Sequence, residues 1–291
     1  MLAHRTPGPA GATNAPTAPT AEPATTTQSS EPAFPAPPKD AVVFSRPAGN
    51  VVLALGVVPG KPLGLQASVV GGQGKGVDGL DVSFGVGGKT LTGTPCGPGC
   101  YRATTPEVPK AVEVRVAGKQ SVTWSVPLPE QWPPPNASPI LARATKTYKK
   151  LETLTTEDAL SSGLGRTLRT HWVLAAPNRL TYQVVRGPAA VIIGNTRWDK
   201  TAPGEPWVKS AQTPIHQPTP FWVSWKNAHV IGETPSAWRI TFFDPKTPGW
   251  YTISVAKGTR RTLNMRMQAP AHFMRQTYSN FNAPVKITPP R

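Results

Sequence analysis

A chain of 291 residues with 38% hydrophobic side chains is long enough for one large or two ordinary domains with a real core, while its 36 prolines and 26 glycines argue against a helical bundle and for many turns. No run of 18 apolar residues occurs, so no stretch of it is a candidate for a membrane-spanning helix. A formal charge of +16 at pH 7 favours anionic partners; only 15 acidic residues, five dispersed histidines and the lack of a Gly-x-Ser-x-Gly elbow, a His-Glu-x-x-His pair or a Walker-type loop give catalysis no local signature, so the chain reads as a binding module and not an enzyme.

Residues 1–39 are dominated by Pro, Ala and Thr with almost no large apolar side chains, too little to offset the entropy of ordering. They read as a disordered tether of the kind that separates a membrane anchor from a domain on the outer face. Met1-Leu-Ala-His-Arg lacks the apolar stretch of a signal peptide. The expectation is that the native start lies upstream and that the folded part is extracytoplasmic, tethered in the cell envelope.

Residues 40–128 offer short strands at Val51 to Val58, Leu63 to Val70, Leu80 to Val86, Tyr101 to Thr104, Val112 to Val116 and Val122 to Val126. Glycine-rich turns at Gly71-Gly72-Gln73-Gly74 and Gly87-Gly88 separate some of them, and no crossover helix is visible. That spacing predicts a small immunoglobulin-like β-sandwich. The two cysteines stand as Cys96-Gly-Pro-Gly-Cys100, a turn that brings the thiols together. In an exported protein they read as a structural disulfide, with a thiolate metal site as the alternative. Residues 129–137, Pro-Glu-Gln-Trp-Pro-Pro-Pro-Asn-Ala, suit neither sheet nor helix and read as a semi-rigid linker.

Residues 138–291 open with a helix expected over Ser138 to Leu160. Ser138 suits an N-cap and Pro139 the first helical position, and Ile140, Leu141, Ala144, Tyr148, Leu151 and Leu154 recur at three- and four-residue spacing. Alternating segments then predict strands at Thr167 to Leu174, Arg179 to Val185, Ala189 to Ile193, Arg197 to Asp199, Pro206 to Lys209, His229 to Glu233, Ala237 to Asp244, Trp250 to Ala256 and Leu263 to Gln268. One helix followed by so many antiparallel strands predicts an α+β unit, a curved antiparallel half-barrel closed by its N-terminal helix. Period-two alternation lines its inner face with Trp172, Leu174, Leu180, Tyr182, Val184, Trp238, Ile240, Phe242, Tyr251, Ile253 and Val255. Among these, Trp172, Leu180, Tyr182, Trp238, Ile240, Phe242, Tyr251 and Ile253, with Tyr148 from the helix, are the candidate ligand-binding residues.

From Leu141 to Pro290 the chain resembles the LolA-like and LppX-like lipoprotein-carrier superfamily. The likeness rests on Ala144-x-x-x-Tyr148 in the helix, Ala176-Pro-Asn-Arg-Leu-Thr-Tyr182, Ile193-Gly194 before Trp198, Gly204-x-Pro206-Trp207, and Trp238-Arg-Ile-Thr-Phe-Phe-Asp244 followed by Pro248-Gly249-Trp250. The two-unit arrangement, with Cys96 to Arg102 and Leu128-Pro129 ahead of Trp132-Pro133, is also similar to the extracytoplasmic tail of actinobacterial CopD-like copper-resistance membrane proteins. The first resemblance implies a concave apolar face that receives the acyl chains of a lipid or lipoprotein. The second implies a place beside an upstream membrane domain or copper transporter.

Copper is the one cofactor the residues suggest. Met265 and Met267 share a strand face, and a turn at Ala269-Pro270 could return His272 and Met274 toward them; thioether and imidazole suit Cu(I), although methionine is also an ordinary core filler. The charge is uneven: residues 138–291 carry 21 Lys and Arg against 7 Asp and Glu, whereas residues 40–137 carry 8 against 6. A face holding Arg143, Lys146, Lys149, Lys150, Arg260, Arg261, Arg266 and Arg275 is expected to meet an anionic membrane surface. No nucleic-acid motif accompanies it.

Overall fold

The computed structural model describes residues 36–118 and 121–291. Most of the tether expected over residues 1–39 therefore lies outside the described residues. The remainder forms two β-rich lobes within one compact unit.

The first lobe contains β1 (Val42–Ala48), β2 (Val51–Val58), β3 (Leu63–Val70), β4 (Asp81–Val86), β5 (Lys89–Thr92), β6 (Thr94–Gly97), β7 (Cys100–Thr105), β8 (Ala111–Ala117) and β9 (Val122–Pro127). They make a five-stranded sheet in the order β1-β2-β3-β7-β6 and a four-stranded sheet in the order β5-β4-β8-β9, every ladder antiparallel. Leu53, Leu55, Leu65 and Val69 from the first sheet meet Val82, Phe84, Val112 and Val114 from the second in a shared core.

β2 explains how the lobes join. Its sequence, Val-Val-Leu-Ala-Leu-Gly-Val-Val, has no polar side chain because both faces are covered. Leu53, Leu55 and Val57 face the sandwich core, while Val52 and Ala54 join Ala41, Val43, Val70, Phe243, Trp250 and Phe273 in a second core that belongs to both lobes. Hydrogen bonds cross the same boundary. Thr241 donates its hydroxyl to the Val43 carbonyl at 2.7 Å, and Asn227 donates its amide to the Pro38 and Ala41 carbonyls at 2.7 and 3.0 Å.

The second lobe has one helix, α1 (Ser138–Tyr148), and eleven strands: β10 (Thr153–Ser161), β11 (Leu168–Ala175), β12 (Arg179–Val184), β13 (Ala189–Ile193), β14 (Thr196–Lys200), β15 (Val208–Ala211), β16 (Lys226–Glu233), β17 (Ala237–Asp244), β18 (Gly249–Ala256), β19 (Thr262–Ala269) and β20 (His272–Ser279). They form one antiparallel sheet in the order β15-β14-β13-β12-β11-β10-β20-β19-β18-β17-β16. Ile192 of β13 and Phe242 of β17 belong to the same core cluster although seven ladder steps separate their strands. Flat, those strands would lie about 33 Å apart, three times the width of a helix. The sheet must therefore curl around α1, which is the half-barrel expected.

Two sequence readings need correction. The helix ends at Tyr148, not Leu160, and the cap is supplied by Asn136, whose side-chain oxygen accepts the Ser138 N–H at 2.8 Å, while Ala137 occupies the cap position. Thr153, Thr155 and Thr156 are β-branched and fit a pleated surface better than a helix, so Leu154 reaches the core from a strand. The eight basic residues expected on one face are also divided. Arg143, Lys146, Lys149 and Lys150 lie on α1 and just past its end, and Arg260 and Arg261 cap Trp238 and Phe281. Arg266 and Arg275 alternate with the core-facing Met265, Met274 and Gln276 and so point to the opposite side of the sheet from α1.

Candidate functional site

The inner face of the curved sheet is set by register. Thr156, Trp172, Tyr182 and Ala190 lie in one row across β10 to β13, and Leu154, Leu174, Leu180 and Ile192 in the next. Across β20 to β17 the same face carries Met274 opposite Met267, Met267 opposite Tyr251, and Tyr251 opposite Phe242, with Gln276, Met265, Ile253 and Ile240 in the row beside them.

Over β16 to β20 this face is closed by the protein itself. Leu141, Ala144 and Tyr148 of α1 and Trp222 of the proline-rich loop between β15 and β16 are buried against it. The rings interlock edge to face: Tyr148 lies 5.8 Å from Tyr278 and 5.9 Å from Trp222, Trp222 lies 6.2 Å from Phe242, and Phe242 stacks parallel on Tyr251 at 5.0 Å. Trp222 also donates its indole N–H to the Thr145 hydroxyl of α1 at 2.9 Å. Burial pushes the Tyr251 phenol up to about 12 and also raises the Tyr148 and Tyr278 phenols.

Over β10 to β14 the same face is less covered. Trp172 and Tyr182 are half-buried and lie 4.7 Å apart, ring to ring. The Trp172 indole N–H donates to Asp158 at 2.9 Å, and Arg197, held by two bonds to the Asp199 carboxylate, reaches the Tyr182 hydroxyl at 3.4 Å. Burial pushes the Asp158 carboxyl up, although bonds from Trp172 and Thr170 oppose it. At the ends of the strands Val184 is half-buried and Leu168, the register partner of Leu160, is 49% exposed. The result is an apolar shelf with one ion pair and one buried acid at its side.

All nine candidate ligand-binding residues are thus on or against the concave face. Tyr148, Leu180, Ile240, Phe242, Tyr251 and Ile253 are buried in the core, whereas Trp172, Tyr182 and Trp238 are only partly covered. Trp238 is roofed by Arg260 at 4.6 Å and Lys257 at 5.7 Å. The proposed metal residues fall in two places. Met265 and Met274 are buried, Met267 is partly buried, and the Tyr278 hydroxyl donates to the Met265 sulfur at 3.8 Å. His272 is exposed at the strand end, with Nδ1 3.0 Å from the Pro270 carbonyl. Among the described residues no three His, Cys, Asp or Glu side chains gather as a metal site. Cys96 and Cys100 are joined as a disulfide at the β6–β7 turn.

Trp222, Tyr278 and Asp158 were not anticipated. Asp158 lay within the stretch assigned to the helix, and Tyr278 in a strand whose alternation, Phe-Met-Arg-Gln-Thr-Tyr, is interrupted by buried Gln276. Trp222 lies in the loop between β15 and β16, flanked by the apolar Phe221 and Val223, so no periodicity in the sequence marks it as the one that turns inward.

No family model matches the sequence, and no curated protein does. Among solved structures, LprF from Mycobacterium bovis is similar over 53% of this chain and 96% of its own length, at 15% identity and a TM-score of 0.37.

Proposed function

We propose that the second lobe is a non-enzymatic binding module that holds an apolar or acylated ligand on the concave face of its half-barrel, at the outer surface of a membrane. One observation carries this reading: the Trp172 and Tyr182 rings are only partly covered on a face whose other half is closed by α1 and Trp222. A long acyl chain laid across them gains about 0.8 kcal/mol for each buried methylene, which needs no charged contact. The positive charge of residues 138–291 would favour approach to an anionic envelope surface. The sequence resemblance to lipoprotein carriers agrees with this assignment.

The test is native mass spectrometry of gently extracted full-length chain, followed by titration with a fluorescent fatty acid. Val184→Asp and Leu168→Asp alter side chains that are not fully buried, so the fold should survive while probe affinity falls about tenfold or more. Probe binding that is equal in wild type and both variants, or absent from all three, overturns the assignment. The copper alternative requires Cu(I) competition against a chelator to weaken in Met265→Leu and Met267→Leu. With two of the thioethers buried among aromatic rings and His272 at the strand end, we expect both variants to match wild type.

A further inference from the structure

The convex face of the eleven-stranded sheet is only partly covered by the first lobe. Beside the shared core, β1, β9 and the Leu128-Pro129 corner stand off from it and leave a cleft of about 910 Å³. Five arginines line this cleft: Arg46 from β1, and Arg169, Arg239, Arg266 and Arg275 from the sheet. Register explains how they meet. Arg169 and Arg275 flank Ala159 on neighbouring strands, Arg275 lies directly opposite Arg266, and Thr252 continues the row into β18.

None of the residues lining the cleft is acidic, and among the described residues none of the five guanidiniums belongs to an ion pair. Like charges placed directly opposite one another on a sheet repel and weaken it. Arg266 records this, because burial lowers its proton affinity and the charges of Arg275 and Arg239 lower it further. The row of Arg169, Ala159, Arg275, Arg266 and Thr252 holds three cations and no acid. Phe44, Trp124 and Phe273 form apolar walls beside the charges.

We propose that this interlobe cleft is a binding site for an amphiphilic phosphate ester, its oxyanion held by the Arg169, Arg275 and Arg266 row and its apolar body by Phe44, Trp124 and Phe273. A guanidinium presents two parallel N–H groups that match two phosphate oxygens, so adjacent arginines can grip one anion more specifically than lysines could. The site lies on the opposite side of the sheet from the concave face and is independent of any ligand bound there.

Isothermal titration of the full chain at low salt tests this with two probes, inorganic pyrophosphate and monomeric dihexanoylphosphatidylglycerol. Saturable binding that weakens with added salt is expected, at least tenfold weaker in Arg266→Gln/Arg275→Gln and weaker in Arg169→Gln, which alters only an exposed end of the row. The thermal midpoint of the double variant should be no lower than that of wild type, because the substitutions relieve repulsion. Tighter binding of the phosphatidylglycerol is expected, because only that probe can use the aromatic walls; equal or tighter binding of pyrophosphate overturns the amphiphilic assignment. Absence of binding for both probes, or unchanged affinity in both arginine variants, overturns the proposal.

Discussion

The Ser224 hydroxyl donates to the Asp244 carboxylate at 2.6 Å, and this bond anchors the loop that closes half of the concave face. The same carboxylate accepts the backbone N–H groups of Val223 at 2.7 Å, Ser224 at 3.1 Å and Lys246 at 2.9 Å. Trp222, next in the chain, is thereby held over Phe242 and against Tyr148. Burial alone would raise the Asp244 pKa, but the bonds from Ser224, Val223 and Lys246 outweigh it and hold the acid below its usual range.

Since the folded pKa is depressed, the stabilisation from Asp244 is present above the unfolded value of about 3.9 and is lost as pH falls through the folded value. Asp244→Ala leaves several donors without a partner, at about 1–3 kcal/mol for each one that stays buried. We expect a loss of roughly 2–4 kcal/mol at neutral pH and a flatter fall in stability in acid than wild type shows. Urea denaturation across that pH range measures both. A variant whose stability falls with acid as steeply as that of wild type would remove Asp244 from this role.

Most of the second lobe was legible because its strands are short runs rich in β-branched and aromatic residues set between turn signals, as in Ala237–Asp244 and Ala189–Ile193, whose bounds match the sequence reading. The helix was over-extended because Leu151 and Leu154 continue the three- and four-residue spacing, and spacing cannot show that the helix stops at Tyr148 and a strand begins at Thr153. β1 escaped notice because it carries Arg46 and Pro47 in a short segment; its burial comes from contact with β17 and β18, which no local pattern reports. The arginine cleft was hidden for a similar reason. Arg169, Arg239, Arg266 and Arg275 each look like the solvated positions of an amphipathic strand, and only the cross-strand register brings them together.

Asp158 and Gln276 are register partners on the inner face, and each has a buried side-chain oxygen, Oδ1 and Oε1, without a hydrogen-bond donor. Burial raises the Asp158 pKa above its unfolded value. The folded state therefore holds a proton that the unfolded state has released, and stability falls as pH rises from about 3.9 through the folded value. Asp158→Asn keeps the shape, removes the charge and supplies an N–H₂ to the site. It should stabilise the protein by about 1 kcal/mol at neutral pH, with the difference shrinking on acidification as the wild-type carboxyl protonates. Thermal denaturation at several pH values reads this out; a variant less stable than wild type at neutral pH contradicts it.

The Cys96–Cys100 bridge closes a ring of five residues at the β6–β7 turn. In the loop-entropy model so small a ring contributes roughly 2 kcal/mol. Reduction, or replacement of both cysteines by serine, should lower stability by about that amount and leave ligand binding at the second lobe intact. Alkylation under denaturing conditions, followed by mass spectrometry, should find neither thiol free in material from the cell envelope. Two freely alkylated cysteines there would count against both the bridge and the extracytoplasmic assignment.

The core shared by the lobes sets the last expectation. Val52, Ala54 and Val70 of the sandwich are buried against Phe243, Trp250 and Phe273 of the half-barrel, so either lobe alone would expose an apolar face. The Thr241 hydroxyl, enclosed at this boundary, has one proton, which it donates to the Val43 carbonyl across it, with the Tyr251 carbonyl 3.1 Å away as a second, longer contact. The lobes should therefore unfold together, in one transition with the same midpoint by tryptophan fluorescence and by circular dichroism. Thr241→Val preserves volume but leaves the Val43 carbonyl short of a donor, and should lower that common midpoint by the equivalent of about 1–3 kcal/mol. Two separated transitions in wild type would show that the shared core adds little coupling, and a Thr241→Val variant as stable as wild type would show that the boundary bond contributes nothing.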